Sequence, residues 1–200
     1  IAHRRDAYYL ATKCGCNVPR QGGEDTPGHI WTGEQVRHNI EHSLKRLNTD
    51  YVDVWQIHSA HPDELRGTDV LETMHQIKEE GKVRHIAVSM RGGSSRYGYD
   101  MLMDYLASDF KFEAMQIWYS ALVRYPEQAI HTVASRGMGT IIRGATRRVD
   151  PWSGLEDACE RIGLNDLRQP HESAAQFLLR FVISHPDVHT TIVGTQNMEH

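Results

Sequence analysis

The feature that most constrains the fold is an alternation of short apolar segments, rich in β-branched and aromatic residues, with longer segments whose apolar residues recur at helical spacing. A helix that follows a strand returns the chain to the same end of a sheet, so this order predicts parallel strands and an α/β fold. The predicted strands are residues 8–12, 51–57, 83–88, 114–118, 139–142 and 190–193.

The predicted helices have recognisable ends. Thr32 followed by Gln35 is a capping-box signature, and Asn48 can end the helix that begins there. Gly81 and Gly137 are typical of residues that stop a helix. Further helices are predicted around residues 70–77, 101–106, 127–135, 155–162 and 174–182. The pattern alone fits both a barrel and an open doubly wound sheet, because both bury near-continuous apolar strands under helices.

Composition narrows the function classes. The 200 residues are 40% hydrophobic, enough for one core, so we predict a single domain over residues 1–200. The net charge of -4 gives no reason to expect nucleic acid, and the apolar runs are far shorter than the roughly 20 residues of a membrane span. The three cysteines lack the spacing of a disulfide framework, which favours a cytoplasmic location for the protein. A start without Met or an apolar leader leads us to expect a truncated chain.

Polar residues follow the predicted strands. In a parallel α/β fold, functional groups gather at the carboxyl ends of the strands. A single lysine or histidine at such a place is more often a solvated residue, but one polar group at each strand end favours a functional site. These residues are Lys13, His58, Ser89, Gln116, Arg143, Gly194 and Thr195.

Several motifs resemble those of the aldo-keto reductase family. The segments are 11–13 (ATK), 43–58 (SLKRLNTDYVDVWQIH), 81–89 (GKVRHIAVS) and 116–120 (QIWYS), and they follow the family's order and spacing across nearly the whole chain. The resemblance implies a (β/α)8 TIM barrel in which the six strands are the third to the eighth. The first two strands would then be missing from this chain.

The resemblance also implies an activity, the reduction of aldehydes or ketones by hydride transfer from NADPH. The family uses a Tyr acid, a Lys, a His and an Asp; by motif, Lys13 is the Lys and His58 is the His. The Tyr and Asp would lie upstream of Ile1. An ammonium beside a phenol lowers the phenol's pKa, so Lys13 would activate the Tyr, while His58 would bind the carbonyl oxygen.

The expected cofactor is NADP(H), with NAD(H) as the alternative. By resemblance, Ser89, Gln116, Arg143 and Gly144 would hold the nicotinamide, and Gly194, Thr195 and Asn197 would receive the phosphates. His200 falls near the usual contact with the 2′-phosphate, which favours NADP. Two departures from the family pattern stand out: Met90 replaces the usual Asn, and the stretch that begins at Arg143 lacks the usual Ser-Pro-Leu.

A metal site can be drawn from Cys14, Cys16, His58 and His61, but Cys-x-Cys and His-x-x-His are weak zinc spacings, so we predict no metal. The pair His38 and His42 shares a helix face and is interpreted as a solvated pair.

The loop 14–31 would overhang the active site, where His29 and Trp31 are candidate substrate contacts, with packing of the loop on a helix as the alternative. Two rival functions remain open: a catalytically weak barrel that acts as a cofactor-binding regulatory or interaction module, and a structural fragment with unpaired sheet edges. Oligomeric state is not predicted.

Overall fold

The structure, a computed structural model, describes residues 2–17, 28–90, 96–146 and 154–194 and confirms the α/β alternation. The strands are Ala11–Cys14 (β1), Val52–His58 (β2), Val83–Ser89 (β3), Ala114–Trp118 (β4), Gly139–Arg143 (β5) and Thr190–Ile192 (β6). The α-helices are Gly33–Leu47 (α1), Pro62–Leu65 (α2), Val70–Glu79 (α3), Arg96–Ala107 (α4), Glu127–Ser135 (α5), Leu155–Arg161 (α6) and Ala174–Ile183 (α7). Ala2–Ala7 and Asn165–Leu167 are 3-10 helices.

The chain divides into two compact units. The first unit comprises residues 1–91 and 107–114, and the second comprises residues 92–106 and 115–200. Among the described residues, no helix combines the length and the apolar character needed to cross a bilayer.

The first unit is built on strands β1, β2 and β3, which lie in that order and pair in parallel. Helix α1 lies against β1 and α3, and α3 lies against β3. The buried faces of these elements are apolar, with Val36, Ile40, Trp55, Met74 and Ile77 fully inside. Burial of side chains of this size contributes about 2 kcal/mol each before the entropy cost of ordering the chain is counted.

Helix α1 has the ends that the sequence predicts, with one difference. Thr32 Oγ1 accepts a hydrogen bond from Gln35 N, and Asn48 ends the helix in the left-handed conformation, at φ 51°. The side chain of Gln35 does not complete the capping box; its Nε2 donates to Cys16 O over 3.0 Å. Gln35 therefore connects α1 to the loop after β1 through its side chain.

Strand β1 begins later than predicted, at Ala11 and not at residue 8. Arg5 donates to Tyr8 O, and Leu10 N donates to Asp53 Oδ2 over 2.8 Å, so these backbone groups are bonded to side chains before the ladder begins. Tyr9 is 90% exposed. The prediction failed because Tyr8 O and Leu10 N are bonded to the side chains of Arg5 and Asp53. The aromatic residues of the segment give no sign of these contacts.

Asp53 joins β2 to the residues that precede β1. Its carboxylate is 2.6 Å from Arg5 Nη2 and 3.0 Å from Arg84 Nη1, and both guanidinium groups lie over the ring of Tyr51. Burial by itself would raise the pKa of Asp53, but the hydrogen bond from Leu10 N–H and the charges of Arg5 and Arg84 outweigh it, so the pKa is lowered. This ion cluster lies at the amino ends of β2 and β3, away from the ends expected to carry function.

The second unit contains β4, β5 and β6 in that order, with β5 and β6 in parallel. Tyr119 N donates to Arg143 O just past the end of β4. Helix α5 lies against β5, and α7 packs through Phe177 and Leu178 on the buried Cys159 of α6. The carboxyl ends of β5 and β6 are aligned, because Arg143 is paired with Ile192.

Candidate functional site

Lys13, His58 and Ser89 lie at the carboxyl ends of the three strands of the first unit. Lys13 is opposite Gln56 in the ladder, and His58 is opposite Ser89. Because side chains alternate along a strand, Lys13, Gln56, His58 and Ser89 share one face of the sheet. Lys13 and His58 are half-buried, and Ser89 is buried. The ammonium and the imidazole predicted to act together therefore belong to the same end and the same face of adjacent strands.

Gln56 is a residue of this face that sequence reasoning missed. It is only 2% exposed, and its Oε1 atom has no hydrogen-bond partner among the residues that the structure describes. A buried acceptor left unsatisfied costs about 1–3 kcal/mol, so such an atom in a native protein calls for a ligand or another explanation. The sequence signal was an amide between two apolar residues of β2, Trp55 and Ile57.

A second group of side chains meets at His58. Cys16 Sγ lies 3.6 Å from His58 Nδ1, and His29 Nε2 lies 3.2 Å from the same nitrogen. The three ligand-type atoms are all within 4.8 Å of one another, and all three residues are half-buried. We refer to Cys16, His29 and His58 as the Cys/His cluster. Thiol sulfur and imidazole nitrogen are typical ligands of late transition metals.

Backbone pairing holds the cluster in place. Cys16 and His29 face each other as an antiparallel bridge, next to hydrogen bonds from Ile30 N to Gly15 O (2.8 Å) and from Asn17 N to Gly28 O (3.3 Å). We call this paired segment, residues 15–17 with 28–30, the neck. It fixes the separation of the cysteine and the histidine through backbone contacts.

Helix α1 supports the neck from its side. Gln35 Nε2 and Asn39 Nδ2 each donate to Cys16 O over 3.0 Å. Asn39 Oδ1 accepts from Gly15 N over 2.8 Å. Because Gln35 and Asn39 are both buried on α1, the backbone of Cys16 is attached to a rigid element.

Trp31 packs against the neck. Its ring is stacked on that of His29, with centroids 5.5 Å apart and planes 5° from parallel. Gly15 has φ +97°, and a Cβ atom there would lie 2.1 Å from the Trp31 ring. Trp31 therefore has a packing role in the first unit, while the substrate contacts suggested for Trp31 and His29 stay predictions.

Two residues of the metal site drawn from the sequence lie elsewhere. Cys14 follows Lys13 in β1 and so faces the opposite side of the sheet, where it is fully buried and its Sγ contacts Gln56 O. Burial raises the pKa of its thiol, which keeps it protonated. His61 caps α2, since its Nδ1 accepts from Asp63 N. The residue that lies near His58, together with Cys16, is His29, which the sequence suggested only as a substrate contact.

The second unit has a cavity of about 350 Å³ at the carboxyl ends of its strands. Arg143 lies over the Trp118 ring, with its guanidinium carbon 4.9 Å from the ring centroid. Gly144 has φ +77°, and a Cβ atom there would come within 2.8 Å of Trp118. Residue 144 must therefore be glycine for the backbone to pass this close to the indole. The lining residues are Trp118, Arg143, Gly144, Ala145, Thr146, Ile192, Val193 and Gly194.

This cavity has the size and the lining of a small-molecule pocket. Its size is within the range of ligand pockets, and it offers an aromatic ring, a cation and exposed backbone, which suit a planar ring and an anionic group. Gln116, two residues before Trp118 on β4, is buried. Of the predicted phosphate contacts, Gly194 lines the cavity, while Thr195 and Asn197, together with His200, lie outside the described residues.

Met90, which directly follows β3, departs from the family pattern in a way that has a physical consequence. It is 3% exposed, and its thioether offers no hydrogen-bond donor. It cannot replace the amide donor that an Asn would present to a carboxamide. A hydrogen bond to a carboxamide at this end of the first unit must therefore come from Ser89 or another neighbouring residue.

Comparisons with known proteins agree on one family. The model of the aldo/keto reductase family matches residues 1–148. An uncharacterized oxidoreductase of Bacillus subtilis is 22% identical over 219 residues, covering 100% of this chain and 68% of its own. The NADH-specific methylglyoxal reductase of Escherichia coli is 27% identical, covering 83% of this chain and 57% of its own.

Solved structures give the same result for the fold. The holo form of an aldo-keto reductase from Bacillus halodurans superposes with a TM-score of 0.76 at 22% identity, covering 98% of this chain and 65% of that protein. The chain thus spans about two thirds or less of the length of the relatives compared here. At this level of identity, the structural likeness concerns the fold alone.

Proposed function

Because the chain belongs to the aldo/keto reductase family, we propose that the protein reduces aldehydes or ketones to alcohols with a hydride from a nicotinamide cofactor, NADPH in preference to NADH. The observation that carries the proposal is the placement of Lys13 and His58 at the carboxyl ends of adjacent parallel strands and on one face. A relative described as NADH-specific keeps NADH as the alternative cofactor.

The proposal extends to the architecture. The six strands correspond to the third to eighth strands of a (β/α)8 barrel, and residues 1–200 belong to one barrel domain. The order of the family motifs along the chain supports this assignment. The family's Tyr and Asp match no position of this chain. Tyr9 does not replace the Tyr, because it lies ahead of β1, at the end of the strand opposite Lys13, and is 90% exposed.

Lys13 and His58 have distinct roles in the proposed reaction. The bound cofactor supplies the hydride, and its transfer builds negative charge on the carbonyl oxygen. His58 donates a hydrogen bond to that oxygen through Nε2, since its Nδ1 already contacts His29. The Lys13 ammonium lowers the pKa of the donor phenol and so favours proton delivery to the oxygen. Gln56, on the same face, is a candidate acceptor for the ammonium or the substrate.

The proposed cofactor contacts differ between the two units. In the second unit, Gln116, Arg143 and Gly144 would hold the nicotinamide, with Gly194, Thr195 and Asn197 at the phosphates. The cavity beside Trp118 supports this part of the proposal. In the first unit, Ser89 at the end of β3 is a further candidate for the nicotinamide.

The reductase proposal is tested with Lys13→Met. We expect kcat/KM for a reactive aldehyde to fall by at least about 10²-fold, because the proton donor loses its activating charge. The dissociation constant for NADPH, from quenching of protein fluorescence, should stay within about twofold. Lys111→Met, which removes an exposed lysine of the first unit, is the matched control and should retain turnover. Near-wild-type turnover in Lys13→Met would refute the role of Lys13.

One observation favours a second candidate, a cofactor-binding module with weak catalysis. Met90 leaves the end of β3 without the amide that would orient a carboxamide. The same two measurements separate the candidates. Tight binding of NADPH with no aldehyde-dependent oxidation supports the binding module, whereas oxidation that requires Lys13 supports the reductase.

A further inference from the structure

The geometry points to a metal site: we propose that Cys16, His29 and His58 bind one Zn²⁺ ion through Sγ, Nε2 and Nδ1. The proposal reverses the sequence-based expectation of no metal. The proposal shares His58 with the reductase function, but it does not rest on that function, because it is argued only from the positions of these three side chains.

The spacing of the ligand atoms matches a tetrahedral zinc centre. With Zn–S of about 2.3 Å and Zn–N of about 2.05 Å, tetrahedral angles place a sulfur and a nitrogen about 3.6 Å apart and two nitrogens about 3.3 Å apart. The observed distances are 3.6 Å from Cys16 Sγ to His58 Nδ1 and 3.2 Å from His29 Nε2 to His58 Nδ1. These two separations match a tetrahedral centre, and the third, from Cys16 Sγ to His29 Nε2, is within 4.8 Å.

The chemistry of the ligands selects the ion. One thiol and two imidazoles, which are the ligand-type groups found here among the described residues, suit Zn²⁺ and disfavour Mg²⁺ and Ca²⁺, which prefer oxygen ligands. Three protein ligands leave one tetrahedral position for water or another small ligand. Because the three residues are half-buried, the ion can enter from solvent.

The residues around the cluster hold it ready for an ion. The neck fixes Cys16 opposite His29, and the donors from Gln35 and Asn39 to Cys16 O restrain the cysteine backbone. Stacking on Trp31 orients the ring of His29. Support of this kind around the ligands lowers the entropy cost of assembling a metal site.

The competing explanation is a hydrogen-bonded cluster without an ion. His29 and His58 would then share one proton between facing nitrogens, and the thiol of Cys16 would contact the same nitrogen. The two explanations differ in the state of Cys16, because a metal-bound cysteine is a thiolate and a hydrogen-bonded one keeps its proton. A probe of the sulfur therefore separates them.

The experiment uses Co²⁺ as a spectroscopic substitute for Zn²⁺. Protein stripped with a chelator is titrated with Co²⁺, and the thiolate-to-cobalt charge-transfer band is followed in the near ultraviolet. We expect the band to saturate at one equivalent and to disappear when Zn²⁺ is added. Absence of the band in the wild-type protein overturns the proposal without any variant, so a folding defect in a variant cannot obscure the result.

Variants assign the ligands. Cys16→Ser should abolish the band, and His29→Gln should weaken Co²⁺ binding by at least about tenfold. Cys159→Ser and the exposed His75→Gln are the matched controls and should leave band and affinity unchanged. The double variant His38→Gln/His42→Gln removes the stacked pair of imidazoles on α1 and should also keep the band. A band that survives Cys16→Ser, or is lost in a control, contradicts the assignment.

Discussion

Gly15 occupies a backbone position where a side chain meets two separate obstacles. Its φ of +97° is unfavourable for L-residues, and the ring of Trp31 fills the space that a Cβ would need. We expect Gly15→Ala to lower the free energy of unfolding by about 2–4 kcal/mol, combining backbone strain with overpacking. Urea unfolding followed by circular dichroism measures the change.

Gly81→Ala separates the two obstacles. Gly81 also has a positive φ, +79°, but nothing lies within 4 Å of its hypothetical Cβ. That variant should lose only about 1 kcal/mol, from the backbone alone. Equal losses in the two variants would show that Trp31 yields to the new methyl group and does not hold the neck rigidly.

The positions of candidate site residues were predictable where a family motif or a strand end marked them. Lys13 and His58 each follow an apolar run, and the parallel register then places them together. His29 could not be found in this way, because its contact with His58 depends on the neck, a pairing across a loop that carries no periodic signal. Gln56 was hidden for a different reason: a lone amide within an apolar strand is usually satisfied by neighbours.

At the level of elements, Glu113 connects helix α3 to strand β3. Its carboxylate accepts from Lys78 Nζ over 2.6 Å and from Ile86 N over 2.9 Å, and it contacts His85. Burial by itself would raise the pKa of Glu113, but the hydrogen bonds from Lys78, Ile86 and His85 lower it from 4.5 to about 2.

The stability that Glu113 contributes should therefore depend on pH in a defined window. A carboxylate with a lowered native pKa contributes fully above its unfolded value of 4.5 and loses that contribution as the pH falls toward about 2. Because 40% of the side chain is exposed, screening reduces the expected contribution to about 1 kcal/mol. The difference in unfolding free energy between wild type and Glu113→Gln should be constant above pH 4.5 and shrink below it.

Glu79→Gln, which changes an exposed carboxylate at the end of α3, is the control for this titration. A gap between wild type and Glu113→Gln that stays constant down to pH 2 would show that the loss comes from packing and not from charge.

Among the described strands, β1 is the one whose start was misplaced by more than one residue. Thr32 and Asn48 cap the two ends of α1 through local contacts that are typical of their residue types. The start of β1 depends on Arg5 and Asp53, which are 48 residues apart, so no local pattern could place it. Helix α2 was missed although Pro62 followed by two acidic residues, just after His61, is typical of a helix start.

For the molecule as a whole, the prediction of a single domain stays a prediction that unfolding can test. The chain passes between the two sets of residues three times, at 91/92, 106/107 and 114/115, and β4 itself contains residues of both. Independent domains are usually joined through exposed linkers that few contacts cross. We therefore expect one cooperative transition in urea.

The measurement compares two probes. Far-ultraviolet circular dichroism reports all helices, and the fluorescence of the double variant Trp118→Phe/Trp152→Phe reports Trp31 and Trp55 of the first unit. Coincident midpoints support one domain. Midpoints that separate reproducibly would instead indicate two units that unfold on their own.

The neck also suggests a position where a foreign peptide can be inserted into the chain. Its backbone bonds and the hydrogen bonds from Gln35 and Asn39 join residues 15–17 to residues 28–30, so contacts within the neck and with α1 set the register of these two segments. Lengthening a closed loop is inexpensive, at about 0.6 kcal/mol for each doubling. We expect an epitope or a reporter peptide inserted between residues 17 and 28 to leave the pairing of the neck intact.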